Sequence, residues 1–207
     1  MAVVPPDLEG VHAAVAEGAD MVEIADAGGG PREEMAAFIG IVRKAYPDLV
    51  IGVSTRRREL GREACAAGAD LIVGGAAMDA GLAVEAALAG AEVAAEFGAG
   101  VVCPADLVAD VVGAGVDPDR IIVEPAGSFG ENVSRDLTGL VASGWPVLID
   151  AAADDGLAGA LARTAVCAWL GVRAFRAREV RETRRVLRMV SAIRGDIPPA
   201  RAVRGLA

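Results

Sequence analysis

One local pattern repeats along this chain and restricts its fold more than any other feature. An alanine-rich segment of helical character ends in glycine, and a short apolar run begins within a few residues. Glycine closes a helix in a left-handed conformation that other residues resist. Short, wholly apolar runs are typical of strands buried on both faces of a parallel sheet, so the repetition predicts a chain of βα units. The pattern occurs at Gly18-Ala-Asp-Met-Val, Gly68-Ala-Asp-Leu-Ile, Gly98-Ala-Gly-Val-Val, Gly144-Trp-Pro-Val-Leu and Gly171-Val-Arg-Ala-Phe.

The units alternate strictly, which favours a (β/α)8 TIM barrel over an open α/β sheet of seven or eight strands. Because such barrels typically have ~250 residues, a chain of 207 residues must have trimmed loops. We assign residues 1–195 to a single barrel domain and residues 196–207 to a C-terminal tail. Predicted strands lie near 2–4, 21–25, 49–53, 70–74, 100–102, 120–124, 146–149 and 172–176. Predicted helices lie near 7–17, 32–45, 58–67, 80–97, 104–114, 132–143, 156–169 and 178–194.

Composition excludes several classes of function. No apolar run approaches the ~20 residues of a membrane-spanning helix, so we expect no membrane association. Cys65, Cys103 and Cys167 are isolated in apolar surroundings and are interpreted as reduced, buried thiols of a cytoplasmic protein. The single histidine, His12, has no second histidine or cysteine nearby in the sequence, which argues against a zinc site.

Charge is distributed unevenly along the chain. Residues 1–155 carry 9 Lys/Arg against 26 Asp/Glu, whereas residues 156–207 carry 11 Arg against 3 acids. The basic part contains one amphipathic helix without interleaved aromatic residues, so we expect no nucleic-acid binding. We interpret its arginines as a solvated helix face complementary to an acidic body, with a partner-binding helix as the alternative.

In a barrel, functional side chains lie at the C-terminal ends of the strands. These ends are rich in acids and contain no lysine or histidine, so no general base with an ordinary pKa near 7 is available there. Several acids at one mouth could bind Mg²⁺ through oxygen or be solvated. Ser54 could equally cap the next helix. We interpret the triplet Arg56-Arg57-Arg58 as surface, with one member facing a ligand anion as the alternative. The candidate ligand-binding residues are Glu23, Ser54, Glu124, Asp150, Asp154, Arg176 and Arg178; we assign no catalytic residue and no metal ligand.

The order of these segments resembles the dihydropteroate synthase family, the pterin-binding TIM barrels. The resemblance covers the chain from about residue 7 to 195. It implies a transferase that joins dihydropterin pyrophosphate to p-aminobenzoate in folate synthesis. The segments that carry it are Gly18-Ala-Asp-Met-Val-Glu-Ile, Val53-Ser-Thr, Gly68-Ala-Asp-Leu-Ile-Val, Arg120-Ile-Ile-Val-Glu-Pro-Ala-Gly-Ser-Phe-Gly, Pro146-Val-Leu-Ile and Phe175-Arg-Ala-Arg-Glu-Val.

Most of the residues that the family uses at its site are replaced here. An aspartate at strand 3 becomes Ser54, and the pterin-contacting asparagine of strand 4 becomes Val73. The aspartate of strand 6 becomes Glu124, and a lysine after strand 7 becomes Asp154. Of the Arg-x-His-Asp motif at strand 8, Arg176 is retained, while Arg178 and Glu179 replace the histidine and the aspartate.

Each lost buried polar partner costs ~1–3 kcal/mol, so the family's reaction is not expected. The resemblance then predicts a non-catalytic binding or partner protein for a pterin-like or anionic small molecule. The alternatives are an enzyme acting on another small molecule and a synthase with residual activity. We expect no resident cofactor, with Mg²⁺ entering only alongside a pyrophosphate ligand. Family members pair through their C-terminal helices, which implies a homodimer formed by residues 156–169 and 178–194.

Overall fold

The fold is taken from a computed structural model of the chain. It describes residues 1–26, 30–55, 57–73, 100–104, 108–113, 116–125, 133–151 and 156–198, with backbone alone for 100–104 and 133–136. The predicted helix over 80–97 and the candidate Asp154 lie outside these residues. Within them, no helix is long and apolar enough to cross a membrane.

Strands and helices alternate along the described chain. The strands are β1 Ala2–Val4, β2 Met21–Ala25, β3 Val50–Ser54, β4 Leu71–Val73, β5 Gly100–Pro104, β6 Ile121–Glu124, β7 Leu148–Asp150 and β8 Ala174–Arg176. The helices are α1 Leu8–Ala16, α2 Arg32–Ala45, α3 Arg58–Ala66, α4 Val108–Gly113, α5 Val133–Ala142, α6 Gly156–Trp169 and α7 Val180–Arg194, with a 3-10 turn at Pro118–Arg120.

All strand pairs are parallel and follow the chain order. Strands β1 to β6 form one sheet, and β7 pairs with β8. Isolated parallel bridges join the two sheets at both edges, between Val123 and Val147 and between Ala2 and Ala177. Neighbouring strands therefore run in sequence order, and the two bridges link the edges of the sheets as in a small TIM barrel.

Several predicted boundaries differ from the observed ones. Pro104 was expected to open a helix but ends β5, where it lies beside Glu124 in the parallel register. Proline lacks a backbone donor, so at this last position the strand loses one possible hydrogen bond. The last strand begins at Ala174 rather than residue 172, and the last helix begins at Val180 rather than residue 178. These shifts move the ends of elements without changing which elements exist.

The main core lies between the strands and the helices around them. It contains strand residues such as Val22, Ile24 and Ile51, which are fully buried, together with Ile39 and Leu60 of the helices. A second, smaller cluster contains Val73 and Leu148, with Ile122 and Ala174 packed against it. Strand side chains alternate between two faces, which allows one strand to serve both clusters.

Two of the repeated glycine turns are held by an arginine from a neighbouring helix. Gly68 has a φ of 110°, and its carbonyl accepts hydrogen bonds from Arg43 at 3.1 and 2.9 Å. Gly18 has a φ of 93°, and its carbonyl accepts from Arg184, which also pairs with Asp20 at 2.7 Å. The pairing of Arg184 with Asp20 agrees with the expectation that the basic helix complements the acidic body.

Candidate functional site

Arg176, the last residue of β8, is the centre of a cluster of acidic side chains. Its Nε donates to Glu23 Oε2 at 2.8 Å. Its Nη1 donates to Glu124 Oε1, and its Nη2 lies 3.4 Å from Glu124 Oε2. Nη1 also lies 3.6 Å from Asp150 Oδ2. All three nitrogens of the guanidinium thus face carboxylates.

The strands explain why these four side chains meet. Glu124, Asp150 and Arg176 each occupy the C-terminal residue of a strand, and parallel strands present those ends on one side of the barrel. Glu23 lies between Val22 and Ile24, whose side chains are buried toward the helices. Because side chains alternate along a strand, Glu23 points to the opposite face, where Arg176 reaches it.

Burial strengthens the interactions within this cluster. The side chains of Arg176, Glu23 and Glu124 are 12%, 7% and 16% exposed, whereas that of Asp150 is 47% exposed. Burial by itself would lower the pKa of Arg176. The hydrogen bond and charge of Glu124 and the charge of Glu23 outweigh that effect and raise the pKa above its usual range. Arg176 is therefore a permanent cation matched to the buried Glu23 and the partly buried Glu124.

Two other candidates, Ser54 and Arg178, are described and make no contact with this cluster. Ser54 ends β3 and is half-buried; its carbonyl accepts a hydrogen bond from the amide of Asp26 at 2.9 Å. Arg178 follows β8 with its side chain exposed to solvent. The structure therefore brings together four of the candidate residues, and Ser54 and Arg178 are not among them.

A second ion-pair site lies between the ends of β2 and β3. Arg57 donates to both carboxylate oxygens of Asp26, at 2.9 and 2.8 Å, and to the carbonyl of Gly30 at 3.0 Å. Thr55, which is buried, donates to Asp26 Oδ2 at 2.8 Å. The hydrogen bond to Asp26 raises the pKa of Arg57.

Sequence reasoning missed this second site. The triplet that contains Arg57 was interpreted as surface, although Arg57 makes a two-oxygen contact with Asp26, the acid that directly follows β2. The available signal was the position of Asp26 and Thr55, each directly after a strand, since consecutive strand ends adjoin in a parallel barrel.

No group of three or more side chains suited to holding a metal ion is found among the described residues. His12 pairs with the hydroxyl of Tyr46. Cys65 and Cys167 are buried, free thiols; the side chain of Cys103 is not described.

We expect both buried thiols to react slowly in the folded protein. Burial raises the pKa of Cys65 to about 12, with a smaller effect from Asp70, and burial raises that of Cys167 to about 11 against the opposing charge of Arg163. The thiolate is the reactive form. In a Cys103→Ser variant at pH 8, Ellman's reagent should label the native chain far more slowly than the denatured chain.

The same pKa shifts give a pH dependence of stability. Unfolded thiols ionise near pH 9, so the contribution of both groups is intact below that pH and is lost as pH rises toward 11–12. The loss should be smaller in a Cys65→Ala variant, measured by urea unfolding across that range. Labelling of native Cys65 and Cys167 at the denatured rate would contradict this assignment.

Fold and site together define a small TIM-barrel protein with an arginine–carboxylate cluster at the C-terminal ends of its strands. No protein-family model matches the sequence. Inactive dihydropteroate synthase 2 of Mycobacterium tuberculosis is 37% identical over 257 aligned positions, covering 96% of this chain and 79% of the relative. The Mycobacterium leprae protein of the same name is also 37% identical, covering 95% and 85%.

Solved structures agree with these relatives. Mycobacterium tuberculosis Rv1207 has a TM-score of 0.78 and 36% identity, covering 97% of this chain and 92% of that one. The dihydropteroate synthase of Coxiella burnetii in complex with pteroic acid has a TM-score of 0.77 and 19% identity, covering 95% and 93%. The second likeness shows the fold alone.

The chain belongs to the dihydropteroate synthase family. It is a dihydropteroate-synthase-like protein, similar to family members that are named inactive. The alignment of 257 positions exceeds the 207 residues of this chain, so the M. tuberculosis relative carries residues that are missing here. The length of this chain by itself predicts shortened loops around the barrel.

Proposed function

We propose that this protein is a non-catalytic member of its family that acts as a binding or partner protein. The observation that carries the proposal is that Arg176 is fully engaged by carboxylates of its own chain. This arginine is the retained member of the family's strand-8 motif, and its three nitrogens face Glu23, Glu124 and Asp150. The names of the M. tuberculosis and M. leprae relatives support the same conclusion.

The charge of the cluster argues against the family's reaction. That reaction releases pyrophosphate, and an enzyme accelerates such a step with preorganised positive charge where negative charge develops. Three carboxylates surround one guanidinium here. The carboxylates satisfy the arginine and would repel a second anion, so the cluster opposes the transition state that a synthase must stabilise.

A direct assay tests the absence of synthase activity. The purified chain should not condense dihydropterin pyrophosphate with p-aminobenzoate, with or without Mg²⁺, when product is followed by chromatography. An active dihydropteroate synthase assayed in parallel is the positive control. Product formation at the rate of that control would overturn the proposal.

An enzyme or binder for a different small molecule is the second candidate. It is favoured by the convergence of Glu23, Glu124, Asp150 and Arg176 at one end of the barrel. A thermal-shift panel of pterins, p-aminobenzoate and pyrophosphate tests it, because a ligand in large excess over its Kd raises stability by a few kcal/mol. We propose no resident cofactor; Mg²⁺ would enter only with a pyrophosphate-bearing ligand.

We also propose that the protein forms a homodimer through α6 and α7. Helix α6 exposes Val166 and Trp169, and α7 exposes Met189 and Ile193. Large apolar side chains grouped on two adjacent helices are typical of an interface. A cytoplasmic location is a further proposal, supported by the free thiols of Cys65 and Cys167.

Substitution of Ile193 tests the dimer. Ile193 is 66% exposed on α7, and Ile193→Glu should convert a dimer to a monomer in sedimentation velocity at micromolar concentration. The matched control is Ile41→Glu on α2, where the side chain is 54% exposed and lies on another helix. A wild-type monomer, or equal dissociation by both variants, would rule out this interface.

A further inference from the structure

The contacts of Arg176 carry an inference that rests on the proposed function and gives it a physical cause. We propose that Arg176, Glu23 and Glu124 bind one another at the positions where external ligands would otherwise bind them. In this self-occupied site, the arginine blocks the carboxylates from external cations and amidine-like donors, and the carboxylates block the arginine from external anions. The cluster is thus an autoinhibitory contact built into the barrel.

The geometry of Glu124 shows what the arginine replaces. Its two oxygens face Nη1 and Nη2 of Arg176, one nitrogen for each oxygen. Two parallel N–H donors on a planar group form the arrangement that binds a carboxylate through both oxygens. A guanidinium or a 2-aminopyrimidine ring presents the same pair of donors, so any such ligand must compete with Arg176.

The geometry of Arg176 shows why an anion is also excluded. Its remaining nitrogen, Nε, is engaged by Glu23, which is the one buried charged residue among the described residues. An anion could bind the guanidinium only by displacing a buried carboxylate, and an unpaired buried carboxylate is costly. The internal partner also has an advantage in effective concentration over a free ligand.

The length of the two glutamate side chains accounts for this arrangement. The carboxylates of Glu23 and Glu124 reach Arg176 from β2 and β6, which are separated from β8 by β1 and β7 respectively. Both residues are glutamates, and each flexible side chain spans one intervening strand to contact the same guanidinium. The three residues therefore close a bridge across the ring from β6 to β2.

The first arm of the test removes the arginine. Arg176→Ala should gain a saturable thermal stabilisation by N-ethylguanidinium chloride, which restores the missing planar fork, at constant ionic strength. Ethylammonium chloride, a point charge without the fork, should stabilise it much less. Wild type should show no saturable stabilisation by either ion, and Glu124→Gln in the Arg176→Ala background should abolish the gain.

The second arm removes the carboxylate charges and keeps the arginine. Glu23→Gln/Glu124→Gln should bind inorganic pyrophosphate at least about tenfold more tightly than wild type in calorimetry, a difference of about 1.4 kcal/mol. Adding Arg176→Met to the double variant should remove this gain, which separates Arg176 from any other cation on the surface. If Arg176→Ala does not fold, this arm tests the proposal by itself.

Specific outcomes overturn the proposal. A folded Arg176→Ala that gains no stabilisation by N-ethylguanidinium, or a double variant that binds pyrophosphate no better than wild type, shows that the cluster blocks nothing. The proposal is also overturned if wild type binds N-ethylguanidinium or pyrophosphate saturably and loses this binding when Arg176 or Glu124 is substituted. Failure here leaves the absence of synthase activity standing, because turnover is measured on wild type alone.

Discussion

Replacing Arg176 by methionine should lower the free energy of unfolding by about 3–5 kcal/mol, the cost of leaving a buried ion-pair partner uncompensated. Glu23 and Glu124 would lose the guanidinium that they share, and their side chains are 7% and 16% exposed. Methionine retains most of the apolar volume of the arginine stem, so the loss reports charge and hydrogen bonding more than packing. Urea unfolding followed by circular dichroism measures it.

Two further variants isolate the cause. Arg178→Met changes the same residue type two positions along the chain, at an exposed side chain, and should alter stability by less than about 0.5 kcal/mol. The triple variant Glu23→Gln/Glu124→Gln/Arg176→Met removes the uncompensated charges and should recover most of the loss. If Arg176→Met changes the free energy of unfolding as little as Arg178→Met does, the cluster contributes nothing to stability.

Replacing Arg43 by methionine should cost about 2–3 kcal/mol, because the partly buried carbonyls of Leu49 and Gly68 lose a charged donor together. Arg43 donates to the carbonyls of Pro47 at 2.7 Å, Leu49 at 2.8 Å and Gly68 at 2.9 Å. It also pairs with Asp70, which accepts the amide of Ile51 at 2.8 Å. One side chain thus joins the end of α2 to the starts of β3 and β4.

Lys44→Met is the matched control for Arg43→Met. Lys44 is the next residue on α2, is exposed and carries the same charge, so its loss should change stability by less than about 0.5 kcal/mol. Chemical denaturation of both variants gives the comparison. A cost below about 0.5 kcal/mol for Arg43→Met would show that water replaces its hydrogen bonds without loss.

The elements of the fold could be predicted because their signals are local. The turns at Gly18 and Gly68 do adopt positive φ angles of 93° and 110°, as expected of glycines that close helices. The alternation of apolar runs with helical segments then gave the order of strands and helices. Boundaries such as that at Pro104 were wrong because pairing with β6 extends β5 beyond the point where proline discourages a strand.

The candidate site could be predicted in part. Glu124, Asp150 and Arg176 follow apolar runs directly, so their placement at strand ends needed only the barrel rule. Ser54 met the same criterion but lies apart from the cluster, because position at a strand end does not determine which partner a side chain reaches. Arg57 was missed for the converse reason: its neighbours in sequence are arginines, while its partner Asp26 lies directly after β2.

The sequence by itself determined the alternation of helices and strands, the acid-rich character of the strand ends and the replacement of the family's site residues. These are properties of residue type and spacing. The tertiary structure alone decided that Arg176 pairs with Glu23 and Glu124, residues that are 153 and 52 positions away in the chain. Pairing over such distances depends on which strands adjoin and which faces their side chains share, and the ring of strands sets both.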